Sequence, residues 1–270
     1  NQIVKDWSAV CVKSALFFPE VYDLGMSNLG IMILYDLINK RSNFLAERVY
    51  LPWVDMQSAL KENKIPLYSL ETKHALRDFD LIGVSLPYES LYTNLLTGLD
   101  LAGITLRQKD RIDQDPLIVA GGHGVFNPEP MAPFLDAVVI GEGEEVFLEI
   151  LEVLEHGISS GYNRSSKLEA IGKISGVYIP SWYKVRYYPS GELSNFERIQ
   201  PEAPETIQKR IVPKLPPAPT NLIVPYIDIV HNRAPIEIMR GCTRGCRFCH
   251  AGMINRPVRE RSVSEIIKAM

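Results

Sequence analysis

The fold class is decided by the stretch LIVAGGHGVFNPEPMAPFLDAVVIGEGEE, which runs from Leu117 to Glu145. It contains two short apolar runs, Leu117–Ala120 and Ala137–Ile140, and glycines follow each of them. Short apolar runs bounded by turn residues are typical of strands buried on both faces of a parallel sheet, and such glycines of tight turns into the next helix. The stretch therefore predicts two successive strand–turn units of an α/β sheet.

Three further apolar runs lie upstream and extend the same sheet. They are Ala15–Phe18, Arg48–Leu51 and Leu81–Leu86, and the segments between them carry apolar residues at helical spacing. Alternation of strands and helices predicts a parallel sheet covered by helices on both faces. We expect a five-stranded, doubly wound domain with flavodoxin-like strand order over residues 1–160.

The composition changes after Gly157, and we expect a small β-rich connector over residues 161–233. Gly176–Ile179 and Tyr183–Tyr188 have the pattern of short antiparallel strands. The proline-rich segment at residues 213–219 is typical of a stiff, extended linker. The third unit, residues 234–270, is expected to begin with a strand at Pro235–Met239 and to end in a helix that starts at Ser262.

Composition narrows the class of protein. The chain has 270 residues, 46% hydrophobic content and a net charge of −3, so a nucleic-acid binding surface over the whole molecule is not expected. No secretory signal or long apolar run is present, which predicts a soluble, cytoplasmic protein with no membrane association. The segment from Arg240 to Arg261 is an exception to the low net charge, because it contains six arginines. It is either a solvated basic loop or a site that holds carboxylates or phosphates.

The third unit also contains the main candidate for chemistry. Cys242, Cys246 and Cys249 form a CxxxCxxC motif inside the sequence RGCTRGCRFCH, residues 240–250. Three reduced thiols on a short loop suit iron–sulfur or zinc coordination better than disulfides. Three cysteines can hold three irons of a four-iron cluster and leave the fourth iron open. The alternative is a zinc site completed by His250 or His231.

The motif, the aromatic Phe248 and the preceding strand resemble the radical S-adenosylmethionine (SAM) enzymes. The resemblance implies that Cys242, Cys246 and Cys249 bind a [4Fe–4S] cluster, that SAM binds its open iron, and that Phe248 lies near the adenine. It further implies reductive cleavage of SAM to a radical, an electron donor such as flavodoxin or ferredoxin, and a partial TIM-type barrel. Residues 234–270 would be only its start, so we expect the chain to be the N-terminal portion of an enzyme, inactive alone.

The first domain resembles the cobalamin-binding domains of class B radical SAM proteins, in particular a subfamily of unknown function. The resemblance rests on the motifs GMSNLG, GGHG, PEP and GEGE, residues 25–30, 121–124, 128–130 and 141–144. It implies cobalamin as a further cofactor, although the usual Asp-x-His-x-x-Gly motif is replaced at Gly25, Ser27 and Gly30. The candidate ligand contacts are Ser27, Ser85, Gly121, Gly122, Gly141 and Gly143.

These patterns predict an enzyme that starts radical chemistry on an unidentified small molecule or RNA. Two other functions stay open from the sequence. One is a non-catalytic module in which zinc stabilises the cysteine loop. The other is a partner-binding protein whose first domain binds no small molecule.

Overall fold

The computed structural model describes residues 1–270 and has an α/β fold built on a mixed six-stranded sheet. Its strands are β1 Val12–Phe18, β2 Phe44–Tyr50, β3 Leu81–Ser85, β4 Leu117–Gly121, β5 Ala137–Val139 and β6 Val177–Tyr178. Across the sheet the order is β2-β1-β3-β4-β5-β6. The first five strands are parallel and β6 pairs antiparallel with β5. The prediction of an α/β fold is confirmed.

Six helices belong to this unit: α1 Tyr22–Gly25, α2 Leu29–Asn39, α3 Val54–Glu62, α4 Tyr92–Leu101, α5 Gly143–Ser159 and α6 Arg164–Ile171. Helices α2 and α5 pack together on one face of the sheet, and the pair of α3 and α4 covers the other. Two glycines let the helices lie close to the strands, because Gly83 of β3 faces the ring of Phe147 and Gly98 of α4 faces the ring of Phe17. The sheet is therefore buried on both faces, as its apolar strands predict.

The edge strand β2 differs from its prediction because it is longer and carries two buried charges. It begins at Phe44 instead of Arg48, and Glu47 and Arg48 are fully buried within it. Arg48 is ion-paired with Glu71 at 2.7 Å, and the segment around Glu71 covers the strand edge through the bond from Leu70 N to Arg48 O. Charged residues inside the strand hid its first half from the apolar pattern.

The sheet also continues into the segment predicted to be a separate connector. Strand β6 completes the sheet and α6 packs against α5, so residues up to about 180 belong to the first unit. Only the later pair, β7 Tyr183–Tyr187 and β8 Leu193–Arg198, forms its own antiparallel hairpin. Ala203 and Ile223 join the main core, so the connector lies against the sheet domain over much of its length.

The cysteine-containing unit is small and consists of β9 Met239–Arg240, α7 Ala251–Ile254, β10 Arg259–Glu260 and α8 Val263–Ala269. The expected strand at Pro235–Met239 begins only at Met239, and it pairs antiparallel with β10 after the cysteine loop. Helix α8 begins as predicted with a capping box between Ser262 and Glu265. Short 3-10 turns complete the chain at Leu76–Asp78, Glu89–Leu91, Gln108–Asp110, His123–Phe126, Ala132–Phe134 and Pro180–Trp182.

No helix combines the length and the apolar character that crossing a membrane requires.

Candidate functional site

A cavity of about 360 Å³ lies at the carboxyl ends of the parallel strands. Ser85 at the end of β3 and Gly121 at the end of β4 line it, as do Gly141 and Gly143 in the turn from β5 to α5. In a doubly wound sheet, ligands bind at this edge, where the strand order reverses between β1 and β3. Gly122, in the turn after β4, completes the set of predicted residues that the structure brings together here.

The backbone itself requires glycine at two of these positions. Gly122 has a φ of +113°, and a Cβ there would lie 2.6 Å from the carbonyl oxygen of Leu86. Gly141 has a φ of +119°, and a Cβ there would overlap the backbone of Arg210, which bridges to Gly141 as an added parallel strand residue. Only glycine adopts such conformations without strain.

The cysteine-containing unit forms part of the wall of this cavity. Arg240, Ile254 and Asn255 of that unit line the cavity opposite the strand ends. Asn255 Oδ1 lies 3.1 Å from His123 Nε2 in the turn after β4. Lys209, from the connector, donates hydrogen bonds to the carbonyl oxygens of Ile254 and Arg256. The cavity is therefore shared between the sheet domain, the connector and the cysteine-containing unit.

Buried ion pairs fasten the two units together, and Glu142 is at their centre. Arg259 donates two hydrogen bonds to the Glu142 carboxylate, at 2.5 and 2.6 Å, and Val212 N donates a third at 2.6 Å. Arg240 lies 3.4 Å from Glu142, 2.7 Å from Glu144 and 2.9 Å from Glu237. Glu142 and Arg259 are only 12% and 8% exposed, so water screens these charges weakly.

The pKa values follow from this pairing. Burial raises the pKa of Glu142, but the hydrogen bonds from Arg259 and Val212 N and the charge of Arg240 outweigh burial, and its pKa is lowered. Burial lowers the pKa of Arg240, but the bonds to Glu237 and Glu144 outweigh it and the pKa is raised. Both groups are held in their charged forms.

This network of ion pairs shows which groups half of the clustered arginines bind. Arg240, Arg259 and Arg261, three of the six clustered arginines, hold carboxylates of the protein itself. Their roles could not be predicted, because the carboxylates of the GEGE motif lie about 100 residues earlier and Glu237 lies 24 residues before Arg261. In the sequence the GEGE motif indicates a glycine turn, and no local pattern pairs its two glutamates with these arginines.

The cysteine loop lies beside the cavity and is open to solvent. Cys246 is exposed, and Cys242 and Cys249 are partly exposed. Two sulfur atoms accept backbone hydrogen bonds at 3.4 Å, Cys242 Sγ from Arg244 N and Cys249 Sγ from Gly252 N. Phe248 is 90% exposed, an unusual position for a large apolar side chain.

The donor set fits a four-iron cluster, because three cysteine thiolates can each bind one of its irons. A mononuclear zinc site needs its ligands within about 2.3 Å of one centre, whereas each cysteine of a four-iron cluster binds a different iron. Backbone N–H groups directed at the sulfurs further suit an anionic cluster, since they tune its potential.

The residues do not fit a cobalamin. Gly25 packs against the ring of Tyr50, and Ser27, which lies outside the cavity, donates to Asp23 O and accepts from His231 N. The cysteine-containing unit covers the strand ends where a corrin ring would stack. A cavity of about 360 Å³ is at the lower end of the range for drug-sized ligands, roughly 300–1,000 Å³, and a corrin is larger than these.

Comparisons with known proteins agree with the cysteine motif at the level of the family. A family model described as "Radical SAM proteins, N-terminal" matches residues 30–180. The uncharacterized protein MJ0966 of Methanocaldococcus jannaschii is 23% identical over 259 residues, which are 94% of this chain and 44% of that protein. The chain thus spans less than half the length of this relative. No solved structure matches it.

Proposed function

Because this chain belongs to the family of radical SAM proteins defined by their N-terminal region, we propose that it is part of an enzyme that cleaves SAM at a [4Fe–4S] cluster. Cys242, Cys246 and Cys249 would hold the cluster. When bound, the cluster supplies one electron at low potential and an open iron that SAM can chelate. The observation that carries the proposal is the CxxxCxxC loop beside the strand-end cavity in a chain of this family.

The protein's own residues contribute position and exclusion of water. Arg240 immediately precedes the loop and Arg259 follows it, and both are held by Glu142, so the loop is fixed relative to the cavity at both ends. Phe248, 90% exposed beside Cys249, presents an apolar face that a bound adenine would cover. Apolar side chains in the cavity wall, such as Phe147 and Ile254, would keep water from the part of a bound substrate that they contact.

The flavodoxin-like assignment of the sheet domain is part of this proposal, and its support is the strand order β2-β1-β3-β4-β5. Three further points are proposals of the same kind: that β9 starts a barrel, that the electron donor is of flavodoxin or ferredoxin type, and that Phe248 lies near the adenine. Their support is the family and the cysteine motif, since the antiparallel pairing of β9 with β10 does not itself form a barrel.

The experiment is anaerobic reconstitution with iron and sulfide, followed by metal analysis and electron paramagnetic resonance (EPR) of the reduced protein. We expect about four irons and four sulfides per chain and the signal of a reduced [4Fe–4S] cluster. Cys246→Ala should lose them. Cys11→Ala is the matched control, because Cys11 lies before β1 and away from the loop. Full iron and sulfide in Cys246→Ala, or one tightly bound zinc in place of iron, would overturn the assignment.

A further inference from the structure

We propose that the strand-end cavity binds an uncharged, flat heterocyclic molecule of nucleobase or nucleoside size. As a statement about the substrate, this inference rests on the proposed radical SAM function. As a statement about binding, it rests on the cavity alone, whose walls include apolar side chains such as Leu34, Phe147 and Ile254. A volume of about 360 Å³ is large enough for a small ligand of this size.

Two glycines in the cavity wall have room for a Cβ, so neither close packing nor the backbone conformation requires glycine there. A Cβ at Gly121 would come no closer than 4.0 Å to Val139, and one at Gly143 no closer than 3.8 Å to Leu34. Neither has a positive φ, so alanine would be tolerated at both. Their bare backbone instead exposes flat peptide groups to the cavity, and an aromatic ring can lie directly against such surfaces.

The charges around the cavity are already paired within the protein. Arg240 is shared by three glutamates, and Arg210 is held by Glu145 and Glu149. Lys209 donates to two backbone carbonyl oxygens. An ionised ligand would lose its hydration without gaining an unpaired counter-charge, which is costly. The cavity therefore favours an uncharged molecule over the phosphorylated metabolite that the six arginines had left open.

Two polar groups remain to orient the ligand. Ser85 and Asn255 both line the cavity, and Asn255 uses its Oδ1 for the contact with His123. The Ser85 hydroxyl and the Asn255 side-chain nitrogen make no hydrogen bond within the protein. Both groups can donate hydrogen bonds to the ring nitrogens and carbonyl oxygens of a heterocycle. Because they are uncharged, they do not require a counter-ion in the ligand.

The test is calorimetric titration of the iron-free chain with adenosine, guanosine, cytidine and uridine, each compared with its 5′-monophosphate. We expect at least one nucleoside to bind with a Kd below 1 mM, and its monophosphate to bind at least tenfold more weakly. Gly121→Val should weaken the binding at least tenfold by filling the cavity. Ala59→Val places the same valine side chain on the exposed surface of α3, away from the cavity, and should leave the Kd unchanged.

Asn255→Ala is the second variant, in case Gly121→Val fails to fold, and it should weaken binding by about threefold to tenfold. No binding by any nucleoside below 1 mM, tighter binding of a monophosphate, or equal binding by Gly121→Val and Ala59→Val would each overturn the inference. Because the titration uses neither iron nor SAM, a failure here leaves the cluster assignment intact. Equally, absence of a cluster would not affect this result.

Discussion

Replacement of Glu142 by glutamine should release the cysteine-containing unit from the sheet domain while leaving the sheet domain folded. The carboxylate accepts two hydrogen bonds from Arg259 and one from Val212 N, and it lies 3.4 Å from Arg240. Glutamine keeps the shape and one acceptor oxygen but removes the charge. Its amide group also places a donor against a guanidinium that can only donate.

The expected cost follows from the groups that remain. Breaking a fully buried ion pair costs about 3–5 kcal/mol. Here Arg259 keeps its bond to Val212 O, Arg240 keeps Glu144 and Glu237, and Glu142 is 12% exposed. We therefore expect about 2–3 kcal/mol, which is a factor of roughly 30–150 in the equilibrium between the docked and the released unit.

Hydrogen exchange followed by mass spectrometry measures this equilibrium in peptides from residues 237–261. Their protection should fall by the same factor, while peptides from β1, β3 and β4 stay protected. Glu152→Gln is the control, because Glu152 lies on the same helix α5 but is exposed to solvent. Protection in Glu142→Gln within twofold of the unsubstituted chain would refute the reasoning.

Three further outcomes are expected. Gly141→Ala should lower the free energy of unfolding in urea by about 2–4 kcal/mol, because residue 141 has a φ of +119° and the added Cβ would overlap the Arg210 backbone. Gly121→Ala should lower it by about 0.5 kcal/mol or less, and equal losses for the two variants would contradict the geometry. Glu71→Ala should cost about 3–5 kcal/mol by leaving the Arg48 guanidinium buried and unpaired, and a change below 1 kcal/mol would show that the pair is not buried in solution. Docking of the cysteine-containing unit should not change between pH 8 and pH 6, and it should weaken only below pH 4.5, the ordinary pKa of a glutamate. The pKa of Glu142 is lowered in the folded protein, so its contribution to stability is lost as the pH falls through that lowered pKa; loosening near pH 6 would contradict this.

Much of the sheet domain could be predicted because its signals are local. Apolar runs marked all five parallel strands, and the glycines after β4 and β5 marked the turns that line the cavity. The start of β2 could not be predicted in this way, because Glu47 and Arg48 are stabilised by distant partners, Thr72 and Glu71. Strand β6 lies within the antiparallel strand predicted at Gly176–Ile179, but its place in the main sheet could not be predicted, because its pairing with β5 is a tertiary contact.

In the candidate site, too, the residues marked by local sequence patterns could be predicted and the tertiary contacts could not. The cysteine triplet and Ser85, Gly121 and Gly143 could be found from spacing and from position after strands. The ion pairs of Glu142 with Arg240 and Arg259 could not, because they join residues about 100 positions apart and no local period relates them. Ser27 lies outside the cavity, and its hydroxyl accepts a hydrogen bond from His231 N, a tertiary contact that the sequence does not indicate.

The central claim is that the cysteine loop holds a [4Fe–4S] cluster with an open iron that SAM reaches. It is tested most directly by adding SAM to the reconstituted, reduced protein and recording the EPR spectrum, with Cys246→Ala and Cys11→Ala in parallel. The account predicts that SAM shifts the cluster signal in the unsubstituted protein and in Cys11→Ala, and that Cys246→Ala shows no such signal. A [4Fe–4S] signal that SAM leaves unchanged, or one that persists in Cys246→Ala, would contradict it.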